Sequence, residues 1–325
     1  MKPFVCAGVT RARGLTLAEL MVSLALGLLV VLVGAALLVS ANGSYLNQSE
    51  AARLDDSGRY ALATIGRAIR QTAFVNWEGA EAPLGARPED SAGIGGLDNR
   101  SLGRAGAGID LPLAAAAAIN GSDVLALRYS GAGAGPDGDG SVINCAGFGV
   151  AAAASEAQRG WSIFYVATDA AGEAELRCKY CGANGWGADA IVRGVDSFQL
   201  LYGLDTDEAA DGVANQYLNA SAINALDAAL VLDGADAAAQ ERDKNARTHW
   251  KRVVSIKLAL LLHGARGSAP DGAPALFELF GKPYADAYGG ADPGVRIDER
   301  QLPAAQRGRA RYLLVTTILL RNRPT

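Results

Sequence analysis

The sequence predicts an α+β protein in which a long N-terminal helix packs on a mostly antiparallel β-sheet domain. An apolar stretch near the N-terminus leads into a stretch with the hydrophobic period of a helix. The remaining chain holds several runs rich in β-branched and aromatic residues, bounded by turn residues. A helix that precedes such a set of strands typically covers one face of their sheet.

The apolar stretch predicts a single membrane-spanning helix. Residues 20–39 provide about the 20 apolar residues that a helix needs to cross a bilayer. Lys2, Arg11 and Arg13 precede this stretch without any acidic residue between them. Because basic residues stay on the cytoplasmic side, we expect an inner-membrane anchor and a periplasmic C-terminal domain.

One acidic residue, Glu19, lies inside this stretch, which is otherwise free of charge from Leu15 to Ser40. A carboxylate at membrane depth is costly, and such residues usually have a function. An ordinary secretory signal cleaved after Ala41 and a plain anchor both leave Glu19 unexplained. A leader that is cut at the cytoplasmic edge of the apolar stretch accounts for it.

Residues 49–74 predict that the helix continues beyond the membrane as an amphipathic segment. Apolar or small side chains recur at spacings of three, four and seven, as expected for the face that packs on a globular domain. These residues are Leu54, Ala61, Ile65, Ile69 and Thr72.

Six later segments have the composition of β-strands. They cover residues 122–130, 161–168, 174–180, 194–204, 252–262 and 311–321. Residues 78–121, 131–140 and 233–243 are rich in Gly, Ala, Pro or charged residues, and we expect them to form loops.

Three cysteines follow the apolar stretch, and a fourth, Cys6, precedes it. In an oxidising compartment Cys145, Cys178 and Cys181 allow one disulfide and one remaining thiol. A zinc site is not expected, because the chain has only two histidines and no second paired-cysteine motif.

The acidic segment DTDEAADG (205–212) is the candidate cation site. Asp205, Asp207 and Asp211 precede Gly212 in an order similar to a calcium loop, but the second and third acids are two residues too far apart. We therefore expect no cofactor and interpret this segment as an acidic solvated turn, with calcium binding as the alternative.

Composition and motifs argue against catalysis and against direct nucleic-acid binding. The chain has two histidines and contains neither a G-x-S-x-G motif nor a P-loop, so we do not expect an enzyme. It carries 30 basic and 34 acidic residues, whereas phosphate binding requires a cationic surface.

The segment GLTLAEL (14–20) resembles the type IV prepilin signature. The resemblance implies that prepilin peptidase cleaves between Gly14 and Leu15 and that the new amine of Leu15 is methylated. Most pilins have Phe where this chain has Leu15. Glu19 would then neutralise the amine of a neighbouring subunit during assembly, since opposite charges attract strongly where the dielectric is low.

Further segments resemble the PilW-type minor pilins, in the same order along the chain. They are LDDSGRYAL (54–62), GIGGLDNR (93–100), NGSDVLALRY (120–129), NCAG (144–147), SIFYVA (162–167), LRC (176–178), VRGVDSFQLLYGLDTD (192–207) and TTILLRN (316–322). This family implies a pilin-like fold and a Cys145–Cys178 disulfide, with Cys145–Cys181 as the alternative.

The resemblance also implies function and partners. It describes a low-copy subunit that primes type IV pilus assembly and lies at the pilus tip, with roles in adhesion and twitching motility. The implied partners are other minor pilins and pilus subunits, the inner-membrane assembly platform and a tip-associated adhesin. Two alternatives stay open, a minor pseudopilin of type II secretion and a secreted binding module or adhesin.

These inferences divide the chain into four parts. We expect a leader at residues 1–14, the transmembrane half of the helix at 15–41 and its amphipathic half at 42–75. Residues 76–325 then form the periplasmic or extracellular β-rich domain.

Overall fold

The computed structural model of the protein describes residues 14–77, 83–182, 184–269 and 274–322. The chain divides into two compact units, Met1–Ser49 and Glu50–Thr325. Apart from Gly14, the predicted leader lies outside the described residues, and so does Cys6.

Helix α1 (Leu17–Gln71) is 55 residues long and is the longest element. All of its side chains in the first unit, through Ser49, are exposed. Among the described residues it is the one helix that is long and apolar enough to cross a membrane, by length and composition.

In the second unit α1 buries the stripe that its sequence predicts. The buried residues are Leu54, Gly58, Ala61, Thr64, Ile65, Gly66, Ala68 and Ile69. Most are small, so the helix lies close to the strands beneath it. A Cβ atom on Gly58 would lie 2.5 Å from Cδ1 of Leu314. The helix ends before Ala73, whose φ of 56° cannot continue an α-helix.

Thirteen strands follow α1 in the described residues. They are β1 (Ile94–Leu97), β2 (Ser101–Leu102), β3 (Pro112–Leu113), β4 (Val124–Tyr129), β5 (Gly160–Thr168), β6 (Ala174–Gly182), β7 (Gly185–Arg193), β8 (Val195–Leu204), β9 (Gln216–Leu218), β10 (Val253–His263), β11 (Leu276–Glu278), β12 (Arg296–Asp298) and β13 (Arg311–Leu319).

Two antiparallel sheets contain most of these strands. The first has the order β1-β4-β5-β6-β7, and the second has the order β13-β10-β8-β9. In the second sheet Leu258 of β10 lies opposite Leu200 of β8 on one side and Thr316 of β13 on the other. The short pairs β2-β3 and β11-β12 form two further ribbons.

The main core lies among α1 and the two larger sheets. Ile65 and Ile69 of the helix belong to the same apolar cluster as Phe164 of β5 and Leu258 of β10. The predicted α+β class, with a long N-terminal helix packed on antiparallel sheet, is confirmed. All six predicted strand segments contain a strand.

The expected loop at residues 233–243 is wrong. The structure forms α3 (Ala237–Arg247) there, because the Asp236 side chain accepts a hydrogen bond from the Ala239 amide and caps the helix. Helices α2 (Ala220–Ala228) and α4 (Lys282–Tyr288) complete the α-helices of the described chain.

The expected loop at residues 78–121 is wrong in part, because β1, β2 and β3 lie within it. Glycines disfavour strands, yet β1 contains two of them in IGGL. A Cβ atom on Gly96 would collide with the hydroxyl of Tyr202, so glycine at this position makes room for a large buried ring.

Candidate assembly site at the start of helix α1

The predicted processing residues lie directly before α1. Gly14 and Leu15 are exposed, and α1 begins at Leu17. A Cβ atom added to Gly14 would meet no other atom within 4 Å. The peptide bond between Gly14 and Leu15 is therefore accessible in this conformation.

Glu19 forms a capping box with Thr16 at the first turn of α1. The Thr16 amide donates to Oε2 of Glu19 over 2.9 Å, and the Thr16 hydroxyl donates to the same oxygen over 3.0 Å. In return the Glu19 amide donates to Oγ1 of Thr16 over 3.3 Å. The pair satisfies amide groups that the helix start leaves without intrahelical partners.

This geometry leaves one oxygen of Glu19 available. Both hydrogen bonds from Thr16 end on Oε2, and Oε1 accepts none from the described residues. The carboxylate can therefore support its own helix and still accept a hydrogen bond from an amine outside the chain. Thr16 was not predicted as a site residue from the sequence, although the spacing T-x-x-E is the known signature of a capping box.

The disulfide joins Cys145 to Cys178 on β6, with a Cα–Cα distance of 5.8 Å. Cys145 lies in the segment between β4 and β5, so the bond ties that segment to the first sheet. Cys181 is a free and exposed thiol, and the alternative Cys145–Cys181 pair is not formed.

The three candidate cation ligands come together between β8 and β9. One carboxylate oxygen from each of Asp205, Asp207 and Asp211 lies within 4.8 Å of the others. Asp205 also accepts a hydrogen bond from the Gly212 amide over 2.6 Å, so the loop is closed by its own contacts. Calcium binding by this loop stays a prediction.

A buried ionic network, which was not predicted from the sequence, lies at one end of the second sheet. His263, the last residue of β10, contacts Asp196 through Nδ1 over 2.8 Å and Glu173 through Nε2. Asp196 also accepts from Nε of Arg311 over 2.6 Å. Arg309 donates to Glu173 over 2.8 Å. No short motif contains these residues, because they come from four separate parts of the chain.

The electrostatic balance of this network favours the ionised acids. Burial raises the pKa of Asp196, but the hydrogen bond from His263 and the charge of Arg311 outweigh it and lower the pKa overall. Burial also raises the pKa of Glu173, and hydrogen bonds from His263 and Arg309 reverse that shift. The network joins the β5–β6 turn to the second sheet by charge-assisted contacts.

Two acids from the segments that resemble minor pilins accept backbone hydrogen bonds within the fold. Asp98, in GIGGLDNR, accepts a hydrogen bond from the Ala220 amide at the start of α2 over 3.0 Å. Asp123, in NGSDVLALRY, accepts from the amides of Asn99 and Leu200 over 3.1 and 2.9 Å. Burial, together with the charge of Asp98, raises the pKa of Asp123 well above its ordinary value.

Comparison with known proteins gives a family match. The family model described as PilW, Type IV Pilus-assembly protein W, matches residues 163–322, which run from β5 to just past β13. Neither the curated proteins nor the solved structures contain a match to this chain. The matched region contains the whole second sheet and the buried network at its end. This match supports a PilW-type protein of the type IV pilus, and the one long apolar helix among the described residues fits a membrane-anchored member of that family.

Proposed function

We propose that this chain is a minor pilin that primes filament assembly and lies at the pilus tip with other minor pilins. The observation that carries the proposal is the start of α1. A single acid, with one carboxylate oxygen open, lies in an exposed apolar helix directly after an accessible Gly14–Leu15 bond. The family match supplies the pilus as the structure in which this helix acts.

The proposed pathway begins with cleavage after Gly14 by prepilin peptidase and methylation of the Leu15 amine. The apolar segment then holds the subunit in the inner membrane, with the second unit on the periplasmic side. On entry into the filament, Glu19 accepts the amine of a neighbouring subunit. The role is structural and requires no catalytic group.

The proposed partners are the assembly platform in the inner membrane, the other pilus subunits and an adhesin at the tip. A minor pseudopilin of type II secretion would carry the same helix and leader. The PilW match favours the pilus over the secretion system.

The test is mass spectrometry of the mature N-terminus in membranes and in sheared pili. We expect a chain that begins with N-methylated Leu15 in both fractions. A chain that begins at Asn42 would contradict the proposal, because the apolar helix and Glu19 would have been removed.

Two variants complete the test. Glu19→Ala is expected to insert into the membrane normally and to be lost from sheared pili, whereas Gly14→Leu is expected to accumulate as the uncut precursor. Normal incorporation of Glu19→Ala would contradict the assembly role of the carboxylate.

A further inference from the structure

An arginine-lined recess lies next to the buried ionic network in the second unit. The cavity measures about 330 Å³. The residues that line it are Arg53, Glu173, Arg193, Gly194, His263, Gly264, Ala265, Arg266 and Arg309. Four arginines thus face one acid here, although acidic residues outnumber basic residues in the whole chain, 34 to 30. We call this cavity the arginine recess.

Two of the four arginines have close partners inside the chain. Arg53 of α1 pairs with Glu50 over 2.8 Å, and Glu50 also accepts from the Ala265 amide. Arg309 pairs with Glu173 over 2.8 Å. These pairs hold the walls of the recess in place and neutralise half of its arginines.

The other two arginines are available to an incoming anion. The side chain of Arg193 is 73% exposed, and its Nε lies 3.6 Å from Glu175 and 4.0 Å from Asp169, so both ion pairs are loose. Arg266 is exposed and forms no ion pair within the part of the chain that the structure describes. Arg266 is therefore unpaired among the described residues, and Arg193 is held only by long contacts, so both guanidinium groups can turn toward a ligand at the mouth of the recess.

A buried donor lies deeper in the recess. The Arg309 residue is only 7% exposed, and its Nε has no hydrogen-bond partner among the described residues. A buried donor without a partner is costly, since it has lost its water contacts. A ligand that supplied an acceptor oxygen here would remove that cost.

The recess already accepts one carboxylate. Oxygen Oε1 of Glu173, whose side chain is 38% exposed, contacts both His263 and Arg309. A guanidinium group presents paired donors in a plane that matches the two oxygens of a carboxylate. The recess contains arginine and no lysine, and its volume suits a single side chain rather than an extended surface.

We propose that the arginine recess binds an acidic side chain of another pilus subunit, held by Arg193 and Arg266. This inference rests on the proposed function, because it requires that the chain assembles with other subunits. It assigns to the second unit a contact separate from the one that Glu19 makes. A phosphate group of an anionic lipid is the competing ligand.

The first experiment reverses the two available charges in the full-length protein. Arg193→Glu with Arg266→Glu is expected to reduce the number of surface pili at least about tenfold, since repulsion replaces attraction at a close charge pair. The control reverses two exposed cations on α3, Arg242→Glu with Lys244→Glu, and is expected to leave piliation unchanged. Equal thermal midpoints of the two variants and the parent exclude unfolding as the cause.

The second experiment measures the ligand directly on the full-length protein in detergent. Glutarate, a free dicarboxylate, is titrated while the arginine Nε–H signals are followed by NMR. We expect saturable shifts in the parent and the control, and none in the Arg193→Glu, Arg266→Glu variant. Shifts of equal size in both variants would overturn the proposal. So would co-sedimentation with phosphatidylglycerol vesicles without any response to glutarate.

Deletion of the whole chain separates this inference from the proposed function. If deletion leaves piliation intact, the proposed function is wrong. If deletion abolishes pili while charge reversal in the recess has no effect, the minor-pilin role stands and the recess proposal is wrong.

Discussion

At the scale of single residues, substitution can separate two effects at the start of α1. One is the capping of the helix by Thr16 and Glu19, and the other is the proposed pairing of Glu19 with a neighbouring subunit. Thr16→Ala removes the hydroxyl that caps α1 and should weaken the helix start by about 0.5–2 kcal/mol. The Glu19 carboxylate stays in place, so incorporation into pili should fall much less than in Glu19→Ala. Quantifying both variants in sheared pili measures the difference. Equal losses would show that Glu19 acts mainly through its own helix.

Asp196 should be one of the most sensitive positions in the second unit. Asp196→Asn removes an acid that both His263 and Arg311 contact in a buried site. Each of them keeps one other carboxylate, Glu173 and Glu299 respectively, so we expect a loss of about 1.5–3 kcal/mol. Denaturant unfolding at neutral pH measures this loss. Exposed Asp137→Asn is the matched control, with an expected change within about 0.5 kcal/mol.

The lowered pKa of Asp196 also predicts how the stability of the fold changes as the pH falls. The folded pKa of Asp196 lies below its ordinary value of 3.8. Its ionised form therefore contributes stability that is fully present above pH 3.8 and is lost as pH falls through the folded pKa. Asp196→Asn should lose less stability on acidification than the parent does. A steeper acid dependence in the variant would contradict this assignment.

At the scale of elements, the contact between α1 and the second sheet depends on small residues. A larger side chain at Gly58 would push against Leu314 of β13 and Leu262 of β10. We expect Gly58→Val to destabilise the second unit by about 1–3 kcal/mol through overpacking. Ala63→Val, on the exposed side of the same helix, is the control. Valine has a higher helix propensity than glycine, so propensity cannot account for a loss at Gly58. Unchanged stability of Gly58→Val would contradict the packing assignment.

Sequence patterns predicted the elements whose signal is local. The stripe through Leu54, Ala61 and Ile65 has a helical period, and strands such as β10 are long and apolar. Strand β1 could not be predicted, because its Gly96 is explained only by the distant ring of Tyr202. Helix α3 contains no buried residue, so it has no apolar stripe to reveal it.

The residues of the candidate sites also differ in whether the sequence could predict them. Gly14, Leu15 and Glu19 lie close together in the sequence, so one short motif contains all three. The arginine recess and the His263 network combine residues from α1, β7, β10 and the start of β13, which only the folded topology brings together. Sequence reasoning without pairing information could not identify them.

At the scale of the whole molecule, the disulfide stabilises the second unit. It closes a separation of 33 residues, and its loss should lower the free energy of unfolding by about 3–4 kcal/mol in the chain-entropy model. Cys145→Ala with Cys178→Ala tests this by thermal unfolding, and Cys181→Ala is the control. Reductant should lower the midpoint of the parent toward that of the double variant. No effect of reductant would contradict the prediction.

The order of the first sheet determines where the protein can be shortened. The family match begins at Ile163, inside β5. Strands β1 and β4 precede it, and β4 pairs with β5 while β1 pairs with β4. A recombinant fragment cut at that boundary would expose the β5 edge and its buried ring Phe164, a template for aggregation. A fragment that starts at Glu50 retains every strand of both sheets. Soluble expression should therefore follow the structural boundary and fail at the boundary of sequence similarity.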